Sequence, residues 1–271
     1  MNYYIVSDIH GFYSILIKAL EEKGFFSDPE PHKLIICGDL FDRGKEAYEL
    51  QAFILDLMAR NEVILIRGNH EDLLLQMMED MLYGVPVLYS HHQTNGTVST
   101  VKQLLRKGSG WMTSDPEAIV SLMKRTPLLR RILPIMRNYY ETQNYIFVHG
   151  WIPCEIIGGD YGQKQYFPLA DWRNASEAQW ARSRWTNGME AAHRCITEPG
   201  KTIVCGHWHC SFGHARYEGI GEELGERADF SPYCADGIVA IDACTVHSKK
   251  INCIVLRDEP LSDLSRRMMY F

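Results

Sequence analysis

Leu34-Ile35-Ile36-Cys37-Gly38-Asp39-Leu40-Phe41-Asp42-Arg43-Gly44 is an apolar run that stops at a glycine and then delivers two aspartates and an arginine. The same grammar stands on either side. Upstream, Tyr3-Tyr4-Ile5-Val6 ends in Ser7-Asp8-Ile9-His10-Gly11, and downstream Val63-Ile64-Leu65-Ile66 ends in Arg67-Gly68-Asn69-His70-Glu71. Between the runs lie Ile15, Leu16, Ala19 and Leu20, then Ala47, Leu50, Phe53, Ile54 and Leu57, apolar at helical spacing. The N-terminal third therefore reads β-α-β-α-β. Four-residue apolar runs joined by helices predict a parallel sheet buried on both faces, with right-handed crossovers. Asp8, Asp39 and Asn69 stand 31 and 30 residues apart, the length of one βαβ unit.

Composition bounds the rest. A chain of 271 residues with 46% hydrophobic and 23% charged residues can bury a large core, and one domain over 1–271 is the expectation. Its net charge of −6, without a run of about five or more like charges, argues against a nucleic-acid partner. No apolar stretch approaches the roughly 18 residues that span a bilayer, and Met1 to Asp8 lacks a secretory leader's pattern. A cytoplasmic protein without a membrane partner is expected. Of eight scattered cysteines, with no Cys-x-x-Cys, most read as reduced and buried; Cys205 and Cys210 are taken as packing. Residues 71–131 read as a helical insertion, with helices over 72–83, 97–107 and 115–125 broken at Gly84-Val85-Pro86 and Gly108-Ser109-Gly110. Later, Tyr139 to Glu141 and Tyr145 to Val148 read as adjacent antiparallel strands. The stretch from Trp151 to Trp172 reads as a loop, 176–189 as a helix, and 202–205, 238–242 and 250–256 as strands.

Two further runs end like the first three. Tyr145 to Val148 runs into His149-Gly150, and Thr202 to Cys205 into Gly206-His207-Trp208-His209. The carboxyl ends of strands are where open α/β sheets bind ligands, so five ends carrying Asp, Asn and His point to one site. Taken singly, Asp8 or Asp39 would read as a helix cap. Carboxylate, imidazole and amide oxygen without thiolate suit manganese, iron or zinc, and seven such groups exceed the needs of one ion. Two ions sharing a carboxylate is the economical reading.

The blocks 8–11, 38–44 and 67–71, in this order and spacing, resemble the signature of calcineurin-like metallophosphoesterases. Asp42-Arg43-Gly44 narrows the resemblance to the phosphoprotein phosphatase branch, which includes bacterial serine/threonine phosphatases and symmetrical diadenosine tetraphosphatases. Val148-His149-Gly150, Gly206-His207 and Ala240-Ile241-Asp242-Ala243-Cys244 also fit. The resemblance implies two packed mixed β-sheets flanked by helices, a four-layer α/β sandwich, here with a helical cap insertion. It implies that Asp8, His10 and Asp39 hold a first metal and Asp39, Asn69, His149 and His207 a second, with His209 a further ligand of the first. His70 matches the catalytic imidazole, Asp42 the carboxylate that orients it, and Arg43 a phosphate clamp. Arg182 and Arg184 are both candidates for a second phosphate contact. The implied activity is metal-dependent phosphoester hydrolysis by a hydroxide bridging two divalent ions, manganese first and iron or zinc as alternatives. A phosphorylated serine/threonine protein is the expected substrate, and a bis(5′-nucleosyl)-tetraphosphate or other small phosphoester is the alternative. A non-catalytic scaffold of this fold would be free to lose His70, Asp42 and Arg43, all of which are present; oligomeric state is not legible.

Three departures from the pattern stand out: Ser7 before Asp8, Trp151 after His149-Gly150, and Ala243. Glu71 reads as steadying its loop, Met77, Met78 and Met81 as packing, and His32, His91, His92, His193, His214 and His247 as surface or hydrogen-bonded. Tyr161, Tyr166, Phe167 and Trp172 read as loop packing before base stacking.

Overall fold

The computed structural model describes residues 1–108, 115–158 and 164–257. The three N-terminal runs form β1 (Asn2–Val6), β2 (His32–Cys37) and β3 (Val63–Ile66), linked by α1 (Tyr13–Glu22) and α2 (Ala47–Ala59). All three are parallel, and β11 (Ile254–Arg257) adds an antiparallel edge beside β1. After β3 come α3 (Asn69–Leu82), α4 (His91–Asn95), α5 (Thr97–Leu104) and α6 (Pro116–Met123). A second sheet of order β4-β5-β8-β10-β9 contains β4 (Tyr140–Glu141), β5 (Tyr145–Phe147), β8 (Thr202–Cys205), β9 (Tyr233–Ala235) and β10 (Ile238–Ala240). Within it β5, β8 and β10 are parallel, while β4 and β9 are antiparallel edges.

Three apolar clusters separate four layers. Leu16, Leu20, Leu50, Ile54, Met77, Ile119 and Met123 of the helices meet Tyr4, Val6, Leu34 and Ile36 on the outer face of the first sheet. Ile5, Ile35 and Cys37 meet Phe147, Val204 and Val239 between the sheets. Ile146, Ile203 and Ile238 face Trp180, Met189 and Cys210 on the far side. Successive strand residues point to opposite faces, so continuous apolar runs are what strands buried on both sides require. Helices α3, α5 and α6 thus extend the helical layer that α1 and α2 begin.

Four local expectations differ from the structure. The 151–172 loop contains a hairpin of β6 (Cys154–Ile157) and β7 (Gln165–Pro168), paired Cys154 to Pro168; most of its residues are exposed on both faces, which removes any alternation to read. The helix expected over 176–189 is two, α7 (Glu177–Ser183) and α8 (Gly188–His193), because the Asn187 side chain accepts from Glu190 N and starts a new helix. Strand β9 was not anticipated, and β11 begins at Ile254, not Lys250. Two short helices, α9 (Cys210–Gly213) and α10 (Thr245–Ser248), complete the fold. Ser109, Gly110, Gly159, Tyr161 and Gly162 lie outside the described residues. All eight cysteines are unpaired, and among the described residues no helix is long and apolar enough to cross a membrane.

Candidate dinuclear metal centre

The ends of β1, β2 and β3 and the ends of β5 and β8 meet along one edge of the sandwich. Asp8, His10, Asp39, Asp42, Arg43 and His207 all take positive φ, between 50° and 75°. Non-glycine residues rarely adopt that conformation, which concentrates where a site must aim side chains. Two glycines let the turns interlock: a Cβ on Gly68 would collide with Asp39 Oδ1, and one on Gly206 with Asp8 Oδ2.

Glu71 sews two of the turns together. Its carboxylate accepts from Gly68 N at 2.7 Å, Leu40 N at 3.0 Å and Asp39 N at 3.1 Å, and burial beside Asp39 pushes its pKa up to about 7. The loop-steadying reading of Glu71 thus has its partners. His70 N donates to Asp39 Oδ1 (3.0 Å), and His207 N donates to Asp8 Oδ2 (2.9 Å) across the two sheets. Thr245 Oγ1 donates to the Asp8 carbonyl (3.0 Å).

Around Asp39 the side chains converge. His10 Nε2 lies 3.7 Å from Asp39 Oδ2 and 4.0 Å from Asp8 Oδ1, and His149 Nε2 lies 3.4 Å from Asp39 Oδ1. Asp39, His149 and His207 present ligand atoms within 4.8 Å of one another, as do His10, Asp39 and His70. The carbonyls of Phe41 and Cys37 accept from Nδ1 of His10 (3.0 Å) and of His149 (2.8 Å). This tautomer turns each Nε2 lone pair inward, the arrangement of metal-ligating imidazoles. His149 Nε2 then faces the Asn69 side-chain oxygen at 2.8 Å, lone pair to lone pair, a contact a shared cation would relieve.

Charge supports the same conclusion. Burial, then the proximity of Asp242 and Asp39, raises the Asp8 pKa well above the carboxylate range, and burial lifts Asp242 to about 6. Burial also opposes ionisation of Asp39, which His149, His70, His10 and His207 favour only while they carry protons. Burial lowers His10 and His149, and takes His207 down to about 3, leaving neutral imidazoles. Crowded buried carboxylates facing neutral nitrogens fit divalent cations.

On the outer side of the cluster, His70 Nδ1 bonds Asp42 Oδ2 (2.8 Å) and Nε2 faces the Arg43 guanidinium (3.1 Å). Burial disfavours a charged His70, but Asp39 and the Asp42 hydrogen bond raise its pKa overall. Arg43 is exposed and also donates to His10 Nε2 (2.7 Å). Asp42 is itself gripped from α5: Thr97 Oγ1 donates to its Oδ2 (2.8 Å), Thr100 Oγ1 to its Oδ1 (2.7 Å), and its own N–H donates to Thr100 Oγ1 (2.9 Å). Gln103 continues the clamp, donating to Gly44 O and accepting from Ala47 N. Sequence reasoning missed Thr97, Thr100 and Gln103, because two threonines near the start of an ordinary helix carry no signal of what they face.

Two expectations need revision. Among the described residues His209 joins neither ligand group; its Nε2 faces Glu223 Oε1 at 3.2 Å. The chain turns into α9 at His209, which carries the ring off the line of His207. Arg184 is 2% exposed and consumed by Asp72, Asn138 and Glu177, so its guanidinium is not free for a phosphate. Arg182, on the same turn, is exposed. Trp151 and Trp172 are buried, donating through Nε1 to Ile196 O and Glu198, which favours packing over base stacking.

Residues 1–211 match the family model of the calcineurin-like phosphoesterases. The chain is 28% identical over 164 residues to the asymmetrical bis(5′-nucleosyl)-tetraphosphatase of Bacillus velezensis, covering 58% of this chain and 59% of that protein. It is 39% identical over 72 residues to serine/threonine-protein phosphatase 1 of Salmonella typhimurium, covering 27% and 31%. The match thus spans at most about three fifths of these relatives' length. A solved cold-active protein tyrosine phosphatase variant shares the fold with a TM-score of 0.50, at 18% identity over 95% of this chain and 75% of that one. With the matched residues reaching from β1 through the His207 turn, the chain belongs to the calcineurin-like phosphoesterase family.

Proposed function

We propose that this protein is a metal-dependent phosphoester hydrolase acting through two divalent ions. Asp8, His10 and Asp39 would hold one and Asp39, Asn69, His149 and His207 the other. When bound, the ions activate water and neutralise phosphoryl oxygens. The observation that carries the reading is the Asp42–His70–Arg43 arrangement beside Asp39: an imidazole oriented by a carboxylate, its second nitrogen next to an exposed guanidinium. His70 would give a proton to the leaving oxygen, and Arg43 would hold two phosphoryl oxygens. Exposed Arg182 is the second phosphate contact in this reading, in place of Arg184. The chain acts as one domain, with 71–131 as its helical insertion, in the cytoplasm.

A phosphoserine or phosphothreonine protein is the substrate proposed first, with manganese as the resident metal. A dinucleoside tetraphosphate is the second reading, favoured by the longer matched stretch to the Bacillus velezensis relative. Parallel turnover of phosphopeptides and diadenosine tetraphosphate by manganese-loaded protein decides between them. Hydrolysis of neither overturns the proposal. Arg43→Ala should weaken inhibition by inorganic phosphate roughly 10- to 150-fold, the loss of charge-assisted contacts of about 1.5 to 3 kcal/mol; unchanged inhibition moves the clamp to Arg182.

A further inference from the structure

A second cluster of ligating side chains lies away from the Asp39 centre and shares no residue with it. Asp80, near the end of α3, and His91 and His92, which open α4, present ligand atoms that all lie within 4.8 Å of one another. His92 Nε2 sits 2.8 Å from Asp80 Oδ2, and the rings of His91 and His92 are in contact, with centroids 4.0 Å apart at 40°. His92 is fully buried, yet its Nδ1 has no hydrogen-bond partner. A structural hydrogen bond between Asp80 and His92 accounts for one imidazole nitrogen. It does not explain the second ring packed against the first.

We propose that Asp80, His91 and His92 form a separate cation site for one divalent ion of the zinc type. Two imidazoles and a carboxylate without thiolate are borderline ligands, suited to zinc, cobalt or nickel over magnesium or calcium. Ligands about 2.0 to 2.3 Å from a tetrahedral zinc lie about 3.3 Å apart, so side-chain adjustment of about 1.5 Å closes the set. His91 is exposed and Asp80 partly so, which leaves the remaining coordination position to water. The location gives the ion a task. Helix α4 ends at Gly96, whose Cα packs against the backbone of Arg43, and α5 follows with the threonines that grip Asp42. An ion tying α3 to α4 would hold the α5 clamp in place, and through it the orientation of His70.

The test is metal stoichiometry on the full chain, stripped with chelator, reloaded with Zn²⁺ and dialysed against metal-free buffer. His91 is exposed, so His91→Ala should fold. It is expected to retain one zinc per chain fewer than the parent and to lose most of the zinc-induced rise in unfolding temperature that remains in Asp39→Asn. Asp80→Asn should behave like His91→Ala. Equal zinc content in the parent, His91→Ala and Asp80→Asn overturns the site. Failure of the Asp39 centre is read separately, as equal zinc in the parent and Asp39→Asn.

Discussion

The two walls of the site are built on different principles. The strand-end wall carries the ligands: Asp8, His10, Asp39 and His207 take left-handed backbone, Asn69 and His149 stand beside them, and glycines let the turns interlock. The α5 wall contributes no charge. Thr97, Thr100 and Gln103 act only through hydrogen bonds to the Asp42–Gly44 turn. The contrast separates holding cations from orienting a proton donor, and damage to one wall should be distinguishable from damage to the other.

The largest effect is expected at the shared carboxylate. Asp39→Asn should remove at least one ion and reduce turnover by more than about 10³-fold, because its charge faces both ligand groups. Full activity with both ions present would break the assignment of the strand-end wall. Next comes His70→Asn, which stands where the walls meet. General acid catalysis is worth about 10² to 10⁴, so turnover of an alkyl phosphate should fall by that much while metal content stays normal. An aryl phosphate with a good leaving group should suffer less. Metal loss in this variant would instead place His70 among the ligands, a role its proximity to His10 and Asp39 makes worth testing.

The α5 wall should give a smaller and cleaner loss. Thr100→Val keeps shape but leaves Asp42 N and Oδ1 without that partner, which costs about 1 to 3 kcal/mol of stability. Activity is expected to fall about 10-fold, with unchanged metal content and a lowered pKa on the alkaline limb of the pH–rate profile, since a looser Asp42 supports protonated His70 less. A change in metal stoichiometry would erase the distinction between the walls.

The smallest effect lies outside both walls. Arg173 donates twice to Glu141 and, followed by Lys201, holds its pKa near 2 against an ordinary 4.5. A depressed carboxylate stabilises the fold above its unfolded value, and that contribution is lost as pH falls from 4.5 through 2. Glu141→Gln should therefore flatten the acid unfolding curve in that window and leave activity at neutral pH unaltered; an unchanged acid limb would show that the pair contributes nothing measurable.

The strand-end wall was the legible one. Apolar runs ending in Gly-Asp or Gly-Asn-His announce strand, turn and ligand together, and the 30-residue spacing fixes the topology that makes the ends neighbours. The α5 wall was not legible, because what Thr97 and Thr100 face depends on how α3 to α6 pack, and no local periodicity encodes it. His209 was misplaced for a related reason. β8 ends at Cys205, before both histidines, so the alternation that would aim the two rings at one site does not apply to them. Arg184 looked like Arg182 in sequence; the positions of Asp72, Asn138 and Glu177 around its guanidinium separate them.

The contacts of Asp8 reach far along the chain, to His207, 199 residues away, and to Thr245, 237 residues away. Contacts of such separation form late, since chain closure must be met before they can contribute. On the ribosome, the parallel strands β1, β2 and β3, with Asp8, His10, Asp39 and Asn69 at their ends, emerge long before the His207 turn and before β11, which completes their sheet. The nascent protein thus passes through a stage in which half a binding site is displayed with its carboxylates unmatched. Ions captured at that stage would have incomplete coordination and exchange readily, and in the proposed centre the last strands to arrive would complete the ligand set.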